Sequence, residues 1–218
     1  MVGAVVVLAV GLFVVYKVFL ESDPEPRAKI KETKVTEGGA LDGTYTVAPG
    51  DPNSFVGSRV TEQFVAAVVE STATGRTSDV NGSFTISGTN VDDVSVTANL
   101  QTLTSDRSQR DDAIKGRGLE SDMFPEATFV LTKPIELRRQ PELGQTVRAT
   151  ATGDFTLHGV TRRVKIPLEG RWDGTAVQVV GNLHVVFADY GIEPPGSPLL
   201  ASIDDEGEME LQLFFTKG

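Results

Sequence analysis

The stretch EMELQLFF, residues 208–215, decides the fold of this chain. Every second residue from Met209 to Phe215 is apolar, and the positions between them up to Gln212 are charged or polar. Successive side chains of a β-strand point to opposite faces, so this alternation predicts a strand with one face in a core and the other in water.

The same period of two recurs along most of the chain. Residues 94–100 and 164–168 alternate in the same way, and shorter runs contain the pairs or triplets Phe84/Ile86, Phe129/Leu131, Phe155/Leu157 and Leu183/Val185/Phe187. Asp173 and Gly174 stand between two such runs, which is a strong hairpin signal. Short antiparallel strands joined by turns predict an all-β domain, either a sandwich or a closed barrel.

Two segments interrupt the alternation. Residues 106–124 lack it and end at Pro125, and Ser105 or Asp106 is suited to cap a helix there. Residues 59–70 fit either element, because three apolar residues have helical spacing while the valine-rich end favours a strand. We therefore expect one or two short helices beside the strands.

The N-terminal residues 2–20 are almost entirely apolar, with Lys17 as the single charge. At about 1.5 Å per residue a helix of this length spans roughly 28 Å, close to the thickness of the hydrocarbon core of a bilayer. A cleaved signal peptide is the alternative, but no small-x-small site follows Lys17. We predict a transmembrane anchor at residues 1–20, a flexible, charged linker at 21–41 and one domain at 42–218.

Composition excludes several classes of function. The 218 residues are 39% hydrophobic and 23% charged, enough for a packed core, and their net charge of −10 argues against nucleic-acid binding. The absence of cysteine excludes disulfides, thiolate metal sites and cysteine nucleophiles. The two histidines, His158 and His184, are too few for a histidine-based metal site, and the sequence has no Gly-x-Ser-x-Gly elbow. We therefore predict that the protein is not an enzyme.

Aromatic usage is biased toward phenylalanine. The chain has 11 Phe, 3 Tyr and 1 Trp. A phenylalanine ring has no polar tip, so it suits a wall that must stay dry, although a solid sandwich core would use it as readily.

Several motifs, in order, resemble the YceI-like family, and the resemblance covers residues 43–216. They are GTYTV at 43–47, GRT at 75–77, VNGSF at 80–84, LTSD at 103–106, Arg110 with Asp111, FPEATF at 124–129, GDFTLHGVTR at 153–162, and FADYGI at 187–192 with two prolines after it.

The resemblance implies an eight-stranded antiparallel, lipocalin-like barrel. Its elongated apolar tunnel would hold an isoprenoid lipid, such as a quinone or a polyprenyl lipid, with no other cofactor. The resemblance also implies an extracytoplasmic domain on a single-pass bacterial membrane anchor, although the basic residues after the apolar segment would by themselves place the domain in the cytoplasm. Many relatives carry a His-Ser pair where this chain has Asn53 and Ser54. Any head-group contact of that histidine is therefore absent.

The expected cavity-lining residues are the inward-facing apolar ones: Phe84, Ile86, Val96, Phe129, Phe155, Leu157, Ile166, Phe187, Leu211, Leu213 and Phe215. Arg110 and Asp111 are either a head-group clamp or, as we favour, a pair that fixes the helical excursion.

The leading interpretation is a carrier or reservoir for an isoprenoid lipid. The alternative is an envelope stress-related interaction module with a solid core. The oligomeric state stays open, with a dimer among the options.

Overall fold

The computed structural model describes residues 24–48, 51–65, 70–196 and 200–218. Strands dominate this part of the chain, together with a short helix α1 (Ser108–Ala113), a π-helical turn (Ile114–Gly118) and 3-10 turns at Leu100–Thr102 and Phe187–Tyr190. The strands are β1 (Gly43–Val47), β2 (Phe55–Phe64), β3 (Glu70–Thr77), β4 (Val80–Ser87), β5 (Asn90–Asn99), β6 (Thr104–Ser105), β7 (Glu126–Leu131), β8 (Ile135–Glu136), β9 (Thr146–Leu157), β10 (Val160–Trp172), β11 (Ala176–Val186), β12 (Leu200–Ile203) and β13 (Glu206–Lys217).

Eight of these strands close into a ring. They pair antiparallel in the order β1-β4-β5-β7-β9-β10-β11-β13, and β13 pairs in turn with β1. A closed ring leaves no exposed strand edge within it. The predicted all-β, eight-stranded antiparallel barrel with a short helix is confirmed.

One edge of strand β13 pairs with β11, and the other edge pairs with two strands, β1 and β2. Its end pairs with β1, where Val47 faces Phe215, and its first half pairs with β2, where Arg59 faces Glu208. β3 adds to the outer side of β2, and the short β6 adds to β3. Residues 59–64, ambiguous between helix and strand in the sequence, belong to a strand, because β3 and β12 pair with them on its two edges.

The residues in two hairpin turns explain the backbone conformation of those turns. His158 and Gly159 join β9 to β10 with φ angles of 51° and 73°. Two successive left-handed residues form the tight hairpin turn whose twist matches the flanking strands. The predicted hairpin at Asp173 and Gly174 joins β10 to β11, and the Asp173 carboxylate accepts hydrogen bonds from the Thr175 and Ala176 N–H groups.

The predicted alternation of β13 places its apolar residues in the barrel interior. Leu213 and Phe215 are almost fully buried. The Phe84 ring packs between two others, with its centroid 4.7 Å from that of Phe215 and 5.3 Å from that of Tyr45. This cluster forms the core at one end of the barrel.

The outward, polar face of β13 is buried as well, which the alternation did not predict. Glu210 and Gln212 are only 3% and 4% exposed. Residues 24–41, which we call the strap, lie across the outside of the barrel without helix or strand of their own. The Ala28 N–H donates to Glu210 Oε2 (3.0 Å) and the Lys29 N–H to Gln212 Oε1 (3.2 Å). The segment predicted as a flexible linker therefore contacts the barrel.

A buried ionic cluster lies under the strap. Glu210 accepts hydrogen bonds from Arg59 Nε (3.2 Å) and Arg76 Nη2 (2.9 Å), and the Arg76 guanidinium stacks 3.8 Å from the centre of the Phe55 ring. Gly57 makes room for this arrangement, because a Cβ there would lie 2.8 Å from Arg76 Cγ. Burial alone would raise the pKa of Glu210, but the hydrogen bonds from the Ala28 N–H, Arg76 and Arg59 outweigh it and hold the pKa below its ordinary value.

The predicted anchor at residues 1–20 lies outside the described residues. Among the described ones, no helix is long and apolar enough to cross a bilayer.

We predict that Glu210→Gln lowers the free energy of unfolding by about 2–4 kcal/mol, because it removes the carboxylate from the buried Arg59 guanidinium and one of the two carboxylates from the half-buried Arg76. Since the folded-state pKa of Glu210 is depressed, its stabilisation is complete above about pH 4.5 and is lost as the pH falls through the folded-state pKa. Urea unfolding at several pH values, followed by Trp172 fluorescence, measures both effects.

Glu208→Gln is the matched control, on the same strand and the same face. Glu208 pairs with Arg27 at the surface, where the side chains are 36% and 65% exposed, so its loss costs less than about 1 kcal/mol. Equal effects of the two substitutions would refute the structural role of the buried cluster.

Candidate functional site

An elongated apolar cavity lies inside the barrel. Its walls are the inward faces of β4, β5, β7, β9, β10, β11 and β13, with one residue each from β2 and β8. The lining residues include Leu41, Val56, Phe84, Val91, Val94, Val96, Ala98, Ala127, Phe129, Leu137, Pro141, Val147, Ala149, Ala151, Phe155, Ile166, Leu168, Gly170, Trp172, Val177, Val179, Met209, Leu211, Leu213 and Phe215.

The cavity extends along the strands. On β9 its lining runs from Val147 to Phe155, and on β10 from Ile166 to Trp172. Eight residue steps at about 3.4 Å each correspond to roughly 27 Å along a strand, which is an upper limit on the length of the cavity because its end residues close it and the strands tilt. A space of this shape suits an extended chain.

Small residues create this space. Ala149 and Ala151 on β9 and Gly170 on β10 face the interior, and a Cβ added at Gly170 would have its nearest neighbour at 3.8 Å. Gly153, farther along β9, is different: a Cβ there would lie 2.4 Å from both Phe129 Cζ and the Val130 carbonyl oxygen. The interior therefore has room for one more methyl group at Gly170 and none at Gly153.

One end of the cavity, which we call the inner end, is closed by a packed cluster. The Phe155 and Tyr190 rings meet edge to face with centroids 5.6 Å apart, and Leu100 and Ile192 are buried beside them. The opposite end, which we call the mouth, is bounded partly by segments without regular structure. These supply Leu41, Leu137 and Pro141, next to the half-buried Trp172.

Polar side chains are nearly absent from the cavity wall. Among the lining residues only Thr128, Arg171 and Trp172, through its indole N–H, carry a polar side-chain group. Arg171 follows the inward-facing Gly170, so its side chain points outward, where it donates to the carbonyl oxygens of Gly144 and Thr33 (3.3 Å for Thr33). The described wall thus offers no charged group to a ligand, and burial of a polar ligand group there would be costly.

Nine of the eleven residues predicted to line the cavity do so in the structure: Phe84, Ile86, Val96, Phe129, Phe155, Ile166, Leu211, Leu213 and Phe215. Leu157 and Phe187 do not line it; they pack at the edge of the inner-end cluster, because β9 and β11 extend past the cavity. That any of these residues contacts a lipid stays a prediction.

Sequence reasoning missed part of the mouth. Leu41 falls in the segment predicted as a linker, and Trp172 is not among the predicted lining residues, yet both line the cavity. The alternation of Val177 and Val179 would have predicted their inward position. No sequence pattern predicts the position of Leu137 and Pro141, because they lie in a loop.

Arg110 and Asp111 lie in the helical excursion at the inner end. Arg110 pairs with Glu62 of β2 at 3.0 Å, both side chains being less than 10% exposed, and also with Asp106. Burial by itself lowers the pKa of Arg110, but the Glu62 and Asp106 carboxylates raise it above its ordinary value. Asp111 accepts hydrogen bonds from the Ser105 N–H (2.8 Å) and hydroxyl (2.6 Å). These contacts tie α1 to the barrel.

His158 has a connecting role that its position in a turn did not reveal. Its Nε2 lies 2.9 Å from Glu120 Oε2 and its Nδ1 3.1 Å from the Tyr190 carbonyl oxygen, while its ring packs on Phe124. It thereby joins the β9–β10 hairpin to the residues that close the inner end. Across the described residues no cluster of three or more His, Asp or Glu side chains is arranged to hold a metal ion.

A closed eight-stranded antiparallel barrel around an apolar cavity defines a lipocalin-like class of protein. Comparison with known proteins gives the family. Residues 45–215 match the YceI-like domain, and the chain belongs to this family.

Sequence relatives are bacterial proteins of the group named UPF0312. One from Vibrio campbellii is 31% identical over 132 residues, which cover 56% of this chain and 66% of the relative, just under two thirds of its length. One from Shewanella sp. (strain MR-4) is 31% identical over 60% of this chain and 69% of the relative. One from Pseudomonas aeruginosa is 28% identical over 78% and 86%.

Solved structures share the fold at low sequence identity. A polyisoprenoid-binding domain from Saccharophagus degradans, implicated in plant cell wall breakdown, superposes with a TM-score of 0.62 at 16% identity, over 81% of this chain and 99% of that one. BcnA from Burkholderia cenocepacia gives a TM-score of 0.55 at 18% identity, over 73% and 95%.

We predict opposite effects of alanine at two inward glycines. Gly153→Ala destabilises the barrel by about 1–3 kcal/mol, because the methyl group collides with the Phe129 ring and a backbone carbonyl. Gly170→Ala is neutral or stabilises by up to about 1 kcal/mol, because its methyl group meets its neighbours only at ordinary van der Waals distances. Urea unfolding compares the pair, and similar losses would show that the interior near Gly170 is not open.

Proposed function

We propose that the barrel binds the hydrocarbon chain of an isoprenoid lipid in its cavity. The observation that carries this proposal is the elongated cavity whose wall has no charged side chain directed inward. The structural neighbour from Saccharophagus degradans, described as a polyisoprenoid-binding domain, supports it. Family membership and this neighbour favour a binding protein over an enzyme.

The energetics favour an apolar chain. Each buried CH2-sized group contributes on the order of 0.8 kcal/mol, so a few isoprene units offset the cost of association. A head group such as a quinone ring or a phosphate meets no inward-directed charged group in the described wall, where Thr128 and Trp172 supply the polar side-chain atoms, and it is better solvated outside. We therefore place the tail toward Phe155 and the head group at the mouth near Trp172.

We further propose an extracytoplasmic carrier or reservoir role, with residues 2–20 as a single-pass membrane anchor. The apolar composition of that segment and the family resemblance support this placement. A domain held beside a membrane could take up a lipid from it with a short transfer distance. The alternative, an interaction module with a solid core, predicts no exchangeable ligand.

Trp172 provides the test, because it is the chain's single tryptophan and lines the cavity. We expect a polyprenyl quinone, whose ring quenches tryptophan fluorescence, to reduce Trp172 emission saturably near one quinone per chain. The chain-free quinone ring should quench weakly at the same concentration, because it lacks the tail that contributes the binding free energy. A titration of the two compounds measures both affinities.

Ala149→Phe and Thr150→Phe form a matched pair of variants. Ala149 lines the cavity, whereas Thr150 is exposed on the outer face of the same strand. Phenylalanine at 149 occupies the ligand's space and should weaken binding at least roughly tenfold, a loss of about 1.4 kcal/mol, while phenylalanine at 150 should leave it unchanged. Equal quenching in both variants would place the quinone outside the cavity and contradict the proposal.

A further inference from the structure

The strap follows a defined path over the outside of the barrel. It begins at β3, where the Glu25 N–H donates to Thr74 Oγ1 (3.1 Å), and crosses β2 and β13. It then reaches the β10–β11 hairpin, where the Thr36 N–H donates to the Asp173 carbonyl oxygen (2.8 Å). It ends at Leu41, a residue of the cavity wall.

The barrel is built to receive this segment. Thr74, Gln178 and Gln212 are outward-facing polar residues, yet each is at most 4% exposed. Gln178 both accepts from the Lys31 N–H (2.9 Å) and donates to the Lys29 carbonyl oxygen (3.1 Å). These polar groups recognise the extended backbone of the strap.

Little apolar packing holds the strap in place. Most of its side chains are exposed, and only Ala28, Ile30 and Thr33 are half-buried before Leu41. Its attachment therefore depends on hydrogen bonds and on the partly exposed ion pairs of Arg27 with Glu208 and of Glu25 with Arg76, each of which contributes modestly. A segment of this kind can detach while the closed ring of strands stays intact.

The strap contacts the loop 137–145, which borders the mouth. Arg171 donates to Thr33 on the strap and to Gly144 in the loop, and its buried Nε has no hydrogen-bond partner within the described residues. Gln140 Nε2 of the loop donates to Asp42 Oδ1 (3.0 Å), just after the strap. A Cβ at Gly144 would lie 2.8 Å from Val35 Cγ2, so the two segments touch.

We propose that the strap is a latch on the cavity. When docked, it holds Leu41 and the loop 137–145 over the mouth; when released, it frees both and opens the path for a lipid. This inference rests on the proposed lipid-binding function. It adds a control of access: the rate of loading and release is set by undocking of the strap, while the affinity is set by the cavity wall.

Two proline pairs in the strap test the latch in the full chain, incorporated in phosphatidylcholine nanodiscs. Lys29→Pro with Lys31→Pro removes the N–H groups that donate to Gln212 and Gln178. Glu32→Pro with Lys34→Pro is the control, because those two N–H groups make no hydrogen bond within the described part of the chain. Proline suits an extended segment, and neither pair alters the barrel.

Two rates are measured for each variant. Hydrogen exchange of the Thr36 amide, which is unchanged in both pairs, reports whether the strap has left Asp173. Stopped-flow quenching of Trp172 by a polyprenyl quinone delivered from vesicles reports loading. We expect the Lys29/Lys31 pair to accelerate both rates roughly tenfold or more, since two hydrogen bonds are lost, and the control pair to resemble the unmodified protein.

Gln178→Met gives an independent variant from the barrel side, since it removes the strap's partner while keeping the size of the side chain. It should reproduce the acceleration. Faster Thr36 exchange with an unchanged loading rate would overturn the latch while leaving lipid binding intact. Unchanged Thr36 exchange would show that these bonds do not hold the strap and would overturn it too. Absence of quenching in every variant would instead overturn the proposed function, and the latch with it.

Discussion

The closure of the strand ring through the pairing of β13 with β1 is the constraint on which the rest of the structure depends. Eight strands fix an interior just wide enough to be filled by side chains or to hold one small ligand. Which of these occurs is decided by the size of the inward residues. Ala149, Ala151 and Gly170 leave a cavity in the middle, whereas the Phe155–Tyr190 contact fills the inner end.

The outer face of the same ring is covered in part by the strap. On β13 the residues that alternate with the cavity wall are Glu210 and Gln212, and both are buried by the strap. One strand therefore faces the cavity on one side and the strap on the other. The strap also contacts the border of the cavity: it ends at Leu41, and Arg171 links it to the loop 137–145.

The sequence predicts the barrel and most of its wall because alternation is a local property that any half-buried strand must show. Phe84, Ile86 and Leu213 could be assigned inward from their neighbours alone. Leu157 and Phe187 could not be excluded in this way, because alternation gives the face of a residue but not its height along the barrel. The sequence predicts a linker at the strap because most of the strap's hydrogen bonds to the barrel are made by its backbone groups, which leave no side-chain pattern.

The central claim is that the cavity of this YceI-like barrel holds one isoprenoid chain. Native mass spectrometry of the protein purified from a bacterial host, followed by extraction and identification of bound lipid, tests it most directly. We predict one isoprenoid lipid per chain, lost in the Ala149→Phe variant and retained in Thr150→Phe. A mass without ligand that stays unchanged after incubation with polyprenyl lipids and quinones would contradict the account.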